Sequence, residues 1–243
     1  MRWNALITAL LLCAFSTAAQ TLPTVPDPTL PQRTVYSTFP DTTGYTVKRI
    51  CPSATCSDSQ ARDYEATQTG INSAFTFAAS NCGSTGVRLL LDQASTINLT
   101  TSVTLPINDC TDNSTPSDPT DDKWIILESM DLASLPSPGT RVCPTDVNGD
   151  PDCSAVASSM PVINMSADNG GQVFMHALNA DRYRIVGIKM ASTATGGGTI
   201  IVYRIGHTSA PSVLADYPRQ VILDRVWLAG NSSRDTYSGV NFT

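Results

Sequence analysis

From Val87 onward the chain alternates short β-branched, aliphatic and aromatic runs with clusters of Gly, Pro, Asn, Asp, Ser and Thr. Runs of this length bounded by turn residues predict strands. They fall at 87–91, 97–105, 124–128, 162–165, 173–176, 183–190, 199–204, 221–228 and 239–242. One stretch breaks this pattern: Ile71, Ala74, Phe75 and Ala78 stand three and four apart and share a helical face. Thr69 is its expected N-cap, and Asn81 and Gly83 its expected stop. A helix this short needs a surface to pack on. No helical pattern alternates with the strands, which argues against a βαβ fold and for an all-β class.

The first residues read differently. Arg2 precedes a mostly apolar stretch, 5–15, and the small-residue run Ser16-Thr17-Ala18-Ala19-Gln20 follows. That order predicts a secretory signal peptide over 1–20. The apolar stretch is shorter than the roughly 20 residues a bilayer span needs. Leu12 before Cys13, where a small residue is expected, argues against lipid attachment. Pro23, Pro26, Pro28, Pro31 and Pro40 then predict an extended leader, so 21–59 reads as a Pro-rich leader ending in a stapled loop. Setting Cys13 aside leaves an even number of cysteines, which in an exported chain favours disulfides. Closeness in sequence gives Cys51–Cys56, Cys82–Cys110 and Cys143–Cys153 as the expected pairs. Zinc ranks below, with no Cys-x-x-Cys pair and only His176 and His207 as imidazoles. A net charge of -6 repels phosphate backbones, so nucleic acid is not an expected partner. The same charge weakens binding to acidic polysaccharides unless calcium bridges the two.

Residues 184–190 and 221–227 both read as an apolar strand, a turn residue and a second strand. Aligning Gly187 with Asp224 gives a repeat of about 37 residues. A β-sandwich also makes short strands with turns and stands as the alternative. The stretch Ile71-Asn72-Ser73-Ala74-Phe75 through Ala78-Ala79, then Gly86-Val87-Arg88-Leu89-Leu90, is similar to the opening of pectate-lyase-like β-helix proteins. In those proteins an amphipathic helix caps the first coil. Further marks follow in the order of a group of large secreted bacterial β-helix proteins. They are Leu105-Pro106, Trp124-Ile125-Ile126-Leu127, Leu135-Pro136-Ser137-Pro138-Gly139-Thr140-Arg141-Val142, Met160-Pro161-Val162-Ile163, Tyr183-Arg184-Ile185-Val186-Gly187, Val221-Ile222-Leu223-Asp224-Arg225 and Gly239-Val240-Asn241. The match departs at Ala94-Ser95, where the family's turn usually has glycine, at Asp181-Arg182, where relatives often have His, and at Val226, where they often have Cys. The resemblance implies a single-stranded right-handed parallel β-helix over 60–243, with a short N-terminal capping helix and C-terminally truncated. Stacking supports the same fold, because one coil cannot bury its apolar face alone.

Candidate chemistry is sparse. Asp146, Asn148, Asp150 and Asp152 place oxygens at alternate positions, as calcium loops do. Gly149 comes early for such a loop, Ala157 stands where a bidentate carboxylate belongs, and a solvated turn explains the same residues. Asp224-Arg225 and Arg234-Asp235 are candidates for sugar binding or lyase chemistry, against the plainer reading of turn carboxylates paired with arginines of adjacent coils. No Gly-x-Ser-x-Gly elbow accompanies His176 or His207. Gly196-Gly197-Gly198 is followed by no Lys-Ser or Lys-Thr and reads as a hairpin. Tyr203, Trp227 and Tyr237 offer a sugar-stacking platform, with core packing preferred for Trp227. Asn-x-Ser/Thr sequons start at Asn98, Asn113, Asn164, Asn231 and Asn241. The expected function is binding or depolymerising an extracellular polysaccharide, with no catalytic set in view. A non-enzymatic surface or adhesion solenoid is the alternative.

Overall fold

The computed structural model describes residues 41–110, 123–137, 142–143, 154–155, 157–166, 171–193, 200–205, 218, 220–229 and 236–242. All of them fall in one compact unit, Tyr36–Thr243. In chain order the elements are β1 (Thr46–Cys51), β2 (Tyr64–Glu65), α1 (Gln68–Thr85), β3 (Val87–Leu91), β4 (Thr96–Leu99), β5 (Val103–Leu105), β6 (Ile125–Ser129), β7 (Val142–Cys143), β8 (Ser154–Ala155), β9 (Val162–Met165), β10 (Phe174–His176), β11 (Tyr183–Val186), β12 (Lys189–Ser192), β13 (Ile200–Ile205), β14 (Val221–Asp224), β15 (Trp227–Ala229) and β16 (Thr236–Phe242). Two short 3₁₀ turns, Leu132–Ser134 and Ala157–Ser159, lie between β6 and β9.

The described chain is mostly β, with one α-helix, and its strands pair in parallel. The first sheet runs β14-β11-β6-β3-β1-β2, the second β15-β12-β9-β4 and the third β16-β13-β10-β5. The chain therefore enters the first, second and third sheets in that order four times: β3, β4, β5; β6, β9, β10; β11, β12, β13; β14, β15, β16. Antiparallel facing sheets, as in a sandwich, are not what these elements build. The register stacks like on like. Leu89, Leu127, Ile185 and Leu223 align in the first sheet, and Ile97, Ile163, Met190 and Leu228 in the second. One core cluster takes side chains from all three sheets and from Ile71, Ala74, Phe75 and Ala78 of α1. The Phe75 ring meets Phe174 edge-on at 5.7 Å and Tyr183 at 6.1 Å, so the helix is anchored in the second and third passes as well as the first.

Three of the expected strands are each two. The runs 97–105, 183–190 and 221–228 break at 100–102, Gly187-Ile188 and Arg225-Val226, where the chain leaves one sheet for the next. The repeat is also one residue longer than Gly187-to-Asp224 alignment gives. Tyr183 pairs with Val221, 38 positions on, so Gly187 matches Arg225. Both have left-handed backbones, φ 67° and 51°. Glycine favours that conformation, so the corner was easy to see at Gly187 and hidden by the arginine at Arg225. A slip of one residue exchanges the faces of a strand. The correct register puts Tyr183 with Val221 inside and Arg184 outside.

The helix also differs from expectation. Its N-cap is Thr67, two residues before Thr69, and the Thr67 hydroxyl accepts from the Gly70 N–H at 3.2 Å. It runs past Asn81 and Gly83 to Gly86, whose φ is 68° and whose N–H donates to the Cys82 carbonyl. A Cβ on Gly86 would fall 2.4 Å from the Tyr45 ring. β1 lies within 21–59, the stretch read as leader and stapled loop, and it pairs with β3 over five residues. Its mixed sequence TVKRIC lacks the apolar alternation that marks the other strands. Cys51–Cys56 and Cys82–Cys110 are disulfides, with Cα atoms 5.5 and 4.5 Å apart. Cys153, the signal segment 1–20 and most of the leader lie outside the described residues.

Candidate functional site: the outer face of the first sheet

Alternation along a strand sends every second residue of the first sheet away from the core. Those positions are Arg88 and Leu90 on β3, Ile126 and Glu128 on β6, Arg184 and Val186 on β11, and Ile222 and Asp224 on β14. Arg88 lies opposite Ile126, and Glu128 opposite Leu90, so the charges meet diagonally across the strand pair. Arg88 Nε donates to Glu128 Oε1 at 2.7 Å, and Nη2 reaches the same oxygen. Two strand pairs further on, between β11 and β14, the pattern repeats: Arg184 Nη2 donates to Asp224 Oδ2 at 2.9 Å. Arg225, at the left-handed corner, closes on both oxygens of Asp224 at 3.0 Å and donates from Nη1 to the Pro136 carbonyl at 3.1 Å.

The surroundings seal this network. Tyr45, Trp124, Ile126 and Val186 form an apolar cluster on the same face, joined by Leu132 and Ile222. The 130–137 segment reaches over the sheet. Leu135 sits so near Gly187 that a Cβ there would fall 2.2 Å from Leu135 Cδ1. The Glu128 side chain is 0% exposed, those of Asp224 and Arg225 9% and 7%, and only Arg88, at 28%, meets solvent appreciably. Burial pushes the Glu128 carboxyl above its ordinary range, and the guanidiniums of Arg88, Arg184 and Arg225 do not cancel that rise. Burial also raises Asp224, but bonds and charge from Arg225 and Arg184 outweigh it and leave that carboxyl below its ordinary value.

A carboxyl whose ionisation is opposed by burial can serve as a general acid. Glu128 lacks the rest of the apparatus: it is enclosed, one oxygen is bonded to Arg88, and Asp224 has both oxygens occupied by guanidiniums. Two free carboxyl groups flanking one substrate, as glycoside hydrolysis needs, are not offered here. Of the sequence candidates, Asp224 and Arg225 come together as a turn carboxylate and its ion partners. Arg234, Asp235, Asp146, Asn148, Asp150 and Asp152 lie outside the described residues. Arg88, Glu128 and Arg184 were missed. Their signal was a lone charge at an outward position in each of VRLLL, IILES and YRIV.

The remaining candidates resolve into packing. His176 is fully buried, its Nε2 lies 2.8 Å from the Tyr203 hydroxyl, and burial lowers its pKa to about 4. His207 lies outside the described residues. Tyr203 is a core residue, which removes it from any stacking platform. Trp227 packs beside Leu135, Val142 and Met160, with the Lys189 ammonium 4.0 Å from its ring centre. Cys51, Cys56 and Asp92 are the one grouping of metal-type ligands among the described residues. The two sulfurs are bonded to each other, and Asp92 accepts from the Ser57 N–H and hydroxyl at 2.7 Å and from the Ala94 N–H at 2.9 Å. That grouping is a loop clamp. On the second sheet, sequon residues Asn98 and Asn164 align and bond side chain to side chain at 3.1 Å. No helix among the described residues is long and apolar enough to cross a membrane. No family model, curated protein or solved structure matches the chain.

Proposed function

We propose that the chain is part of an exported right-handed parallel β-helix protein of the pectate-lyase-like kind that engages an extracellular polysaccharide. The observation that carries the reading is the fourfold return of the chain to three parallel sheets in one fixed order. Such stacking repeats the same outward positions at about 4.8 Å intervals, which suits contact with a long polymer. The sequence resemblance points the same way, and the signal-like segment 1–20 and two disulfides support export. Binding is favoured over cleavage on the described face, because each outward carboxylate there is already held by a guanidinium.

The test is affinity electrophoresis of the full chain through gels containing pectin, alginate, xylan or no glycan, beside a reducing-end assay on the same polymers. Retardation by at least one polymer without release of reducing ends is expected. Equal mobility in every gel counts against polysaccharide binding and favours the second reading, a non-enzymatic surface or adhesion solenoid. That reading is supported by the closure of the same ion network, which stiffens the face without leaving it open.

A further inference from the structure

The helix α1 faces two ways. Ile71, Ala74, Phe75 and Ala78 are buried in the core, while Asn72, Ser73, Thr76 and Ser80 are exposed on its other side. β2 stands beside the helix, tied to the first sheet by the pairing of Tyr64 with Ile50. Between β2 and the outer side of α1 runs an open groove of about 540 Å³, whose lining includes Tyr64, Asn72, Ser73, Thr76, Phe77 and Ser80. That volume falls in the range of roughly 300–1,000 Å³ usual for ligand clefts. Every side chain in the lining is uncharged. Tyr64 and Phe77 pack against the core cluster yet are only half-buried. Lys48 fixes the wall: its ammonium lies 5.0 Å from the Phe77 ring centre and donates to Asp63 Oδ1 at 2.9 Å. The Thr76 hydroxyl donates to the Asn72 carbonyl at 2.9 Å and the Ser80 hydroxyl to the Thr76 carbonyl at 3.2 Å, which leaves both oxygens able to accept. Among the described residues, the Asn72 amide and the Ser73 hydroxyl have no hydrogen-bond partner.

We infer that this groove is a subsite for a neutral glycan, a short run of sugar units without carboxylate or sulfate groups. The inference rests on the polysaccharide reading above and adds to it a place on the molecule and a charge class. A sugar ring presents an apolar C–H face and a rim of hydroxyls. It is matched by a flat apolar surface edged with groups that both donate and accept. Tyr64 and Phe77 supply the rings. Asn72, Ser73, Thr76 and Ser80 supply the edge, and Asn72 and Ser73 bring unspent donors. An acidic glycan is a poorer match. The lining offers no cation, the nearby Lys48 ammonium is held by Asp63, and the chain carries a net charge of -6. A protein segment docking through apolar side chains would meet mostly hydroxyls and an amide. From Asn72 to Ser80 the helix advances about 12 Å, which gives room for a short oligosaccharide stretch. The groove is built on a helix and a paired strand, so little ordering is lost when it is filled.

Affinity electrophoresis of the full chain, of Ser73→Arg and of Asn72→Ala through xylan, glucomannan, pectin and alginate gels tests the assignment. Both positions are exposed, and arginine and alanine are good helix formers, so the fold is kept. Retardation by xylan or glucomannan is expected. Ser73→Arg fills the groove and raises that Kd by about 10-fold or more. Asn72→Ala leaves the room but removes the amide, and raises it by about 3- to 10-fold. NMR of the unaltered chain with a neutral soluble paramagnetic probe reads the groove itself. The Tyr64 and Phe77 ring signals broaden with the probe and recover when the hexasaccharide of the retarding polymer is added. Rings out of the probe's reach from the start mean that the chain's own residues or a second copy fill the groove, which overturns the inference. Retardation by acidic polymers alone, or by a neutral polymer with the same Kd in both variants, overturns it while leaving the polysaccharide reading in place. Equal mobility in every gel removes polysaccharide binding and this subsite with it.

Discussion

At the scale of single residues, the most demanding positions are those where backbone conformation and packing coincide. Gly187 has φ 67° and has Leu135 against it at a distance that leaves no room for a Cβ. Gly187→Ala adds backbone strain to a steric conflict, and we expect it to destabilise the fold by about 1–3 kcal/mol in urea denaturation. Arg225 tolerates the equivalent corner because its guanidinium is tied to Asp224 and Pro136. His176 supplies a pH-dependent term. Its pKa drops from 6.5 to about 4 on folding, so the unfolded chain takes up the proton first as pH falls. The stability from the neutral ring is complete above about 6.5 and is lost as pH falls through about 4, a change of roughly 3 kcal/mol. His176→Gln flattens that part of a stability-against-pH curve; an unchanged slope between pH 6.5 and 4 would show that the ring is solvated. Glu128 acts in the opposite direction. Its raised pKa means that stability is complete below the unfolded value and declines as pH rises through the folded one. The stability of Glu128→Gln relative to the unaltered chain therefore improves as pH rises from 4 to neutrality, although Arg88 loses an anionic partner wherever the carboxyl is ionised.

At the scale of elements, α1 is where local sequence and tertiary context diverge. Thr67 and Thr69 are both plausible caps by composition, but only Thr67 has the extended backbone, φ -131° and ψ 167°, and the bond to Gly70. Thr67→Ala is expected to cost about 1 kcal/mol and Thr69→Ala close to nothing, in paired thermal melts. Equal losses would mean that the helix starts elsewhere. The stop at Gly86 was illegible for a related reason. Gly83 fits inside the helix, where an added Cβ would fall 2.6 Å from the Asp109 carbonyl oxygen, so its glycine serves the neighbouring loop and not the helix end. Strand positions were legible because inward residues such as Leu89, Leu127 and Ile163 are apolar in short runs. Corners inside 97–105, 183–190 and 221–228 were not, because a parallel strand that turns from one sheet to the next keeps its apolar composition. The ion pairs were harder still. Arg88 meets Glu128 and Arg184 meets Asp224 only once the offsets between strands are known, and these are unequal: Val87 to Ile125 is 38 positions, while Ile125 to Tyr183 is 58. Insertions between strands hide that spacing from any search for a fixed repeat, so Asp224-Arg225 was visible as a turn dipeptide while its partner Arg184 was not.

At the scale of the whole molecule, repetition sets how stability is distributed. Among the described strands, sheet pairing joins each pass to the passes on either side of it, so much of the local stability comes from neighbouring strands, with longer links such as that from Arg225 to the Pro136 carbonyl added. β6 and β11 are paired on both flanks in the first sheet, and their inward residues Leu127 and Ile185 are 0% exposed. Among the described strands β14 is paired on one flank, and it is half-buried. Amide exchange should accordingly be slowest in β6 and β11 and fastest in β14, separated by several kcal/mol of opening free energy. The helix-capped end tests the same idea from the other side. Phe75 touches Phe174 and Tyr183, so one side chain links α1 to β10 and β11 across the interior. Phe75→Ala, expected to cost about 3–5 kcal/mol, should therefore speed exchange in β3 to β5 and also in β10 and β11, while β14, which opens independently, changes little. If every strand responded equally the molecule would unfold as one unit, and the pass-by-pass account of its stability would have to be abandoned along with the expectation that its two ends behave differently.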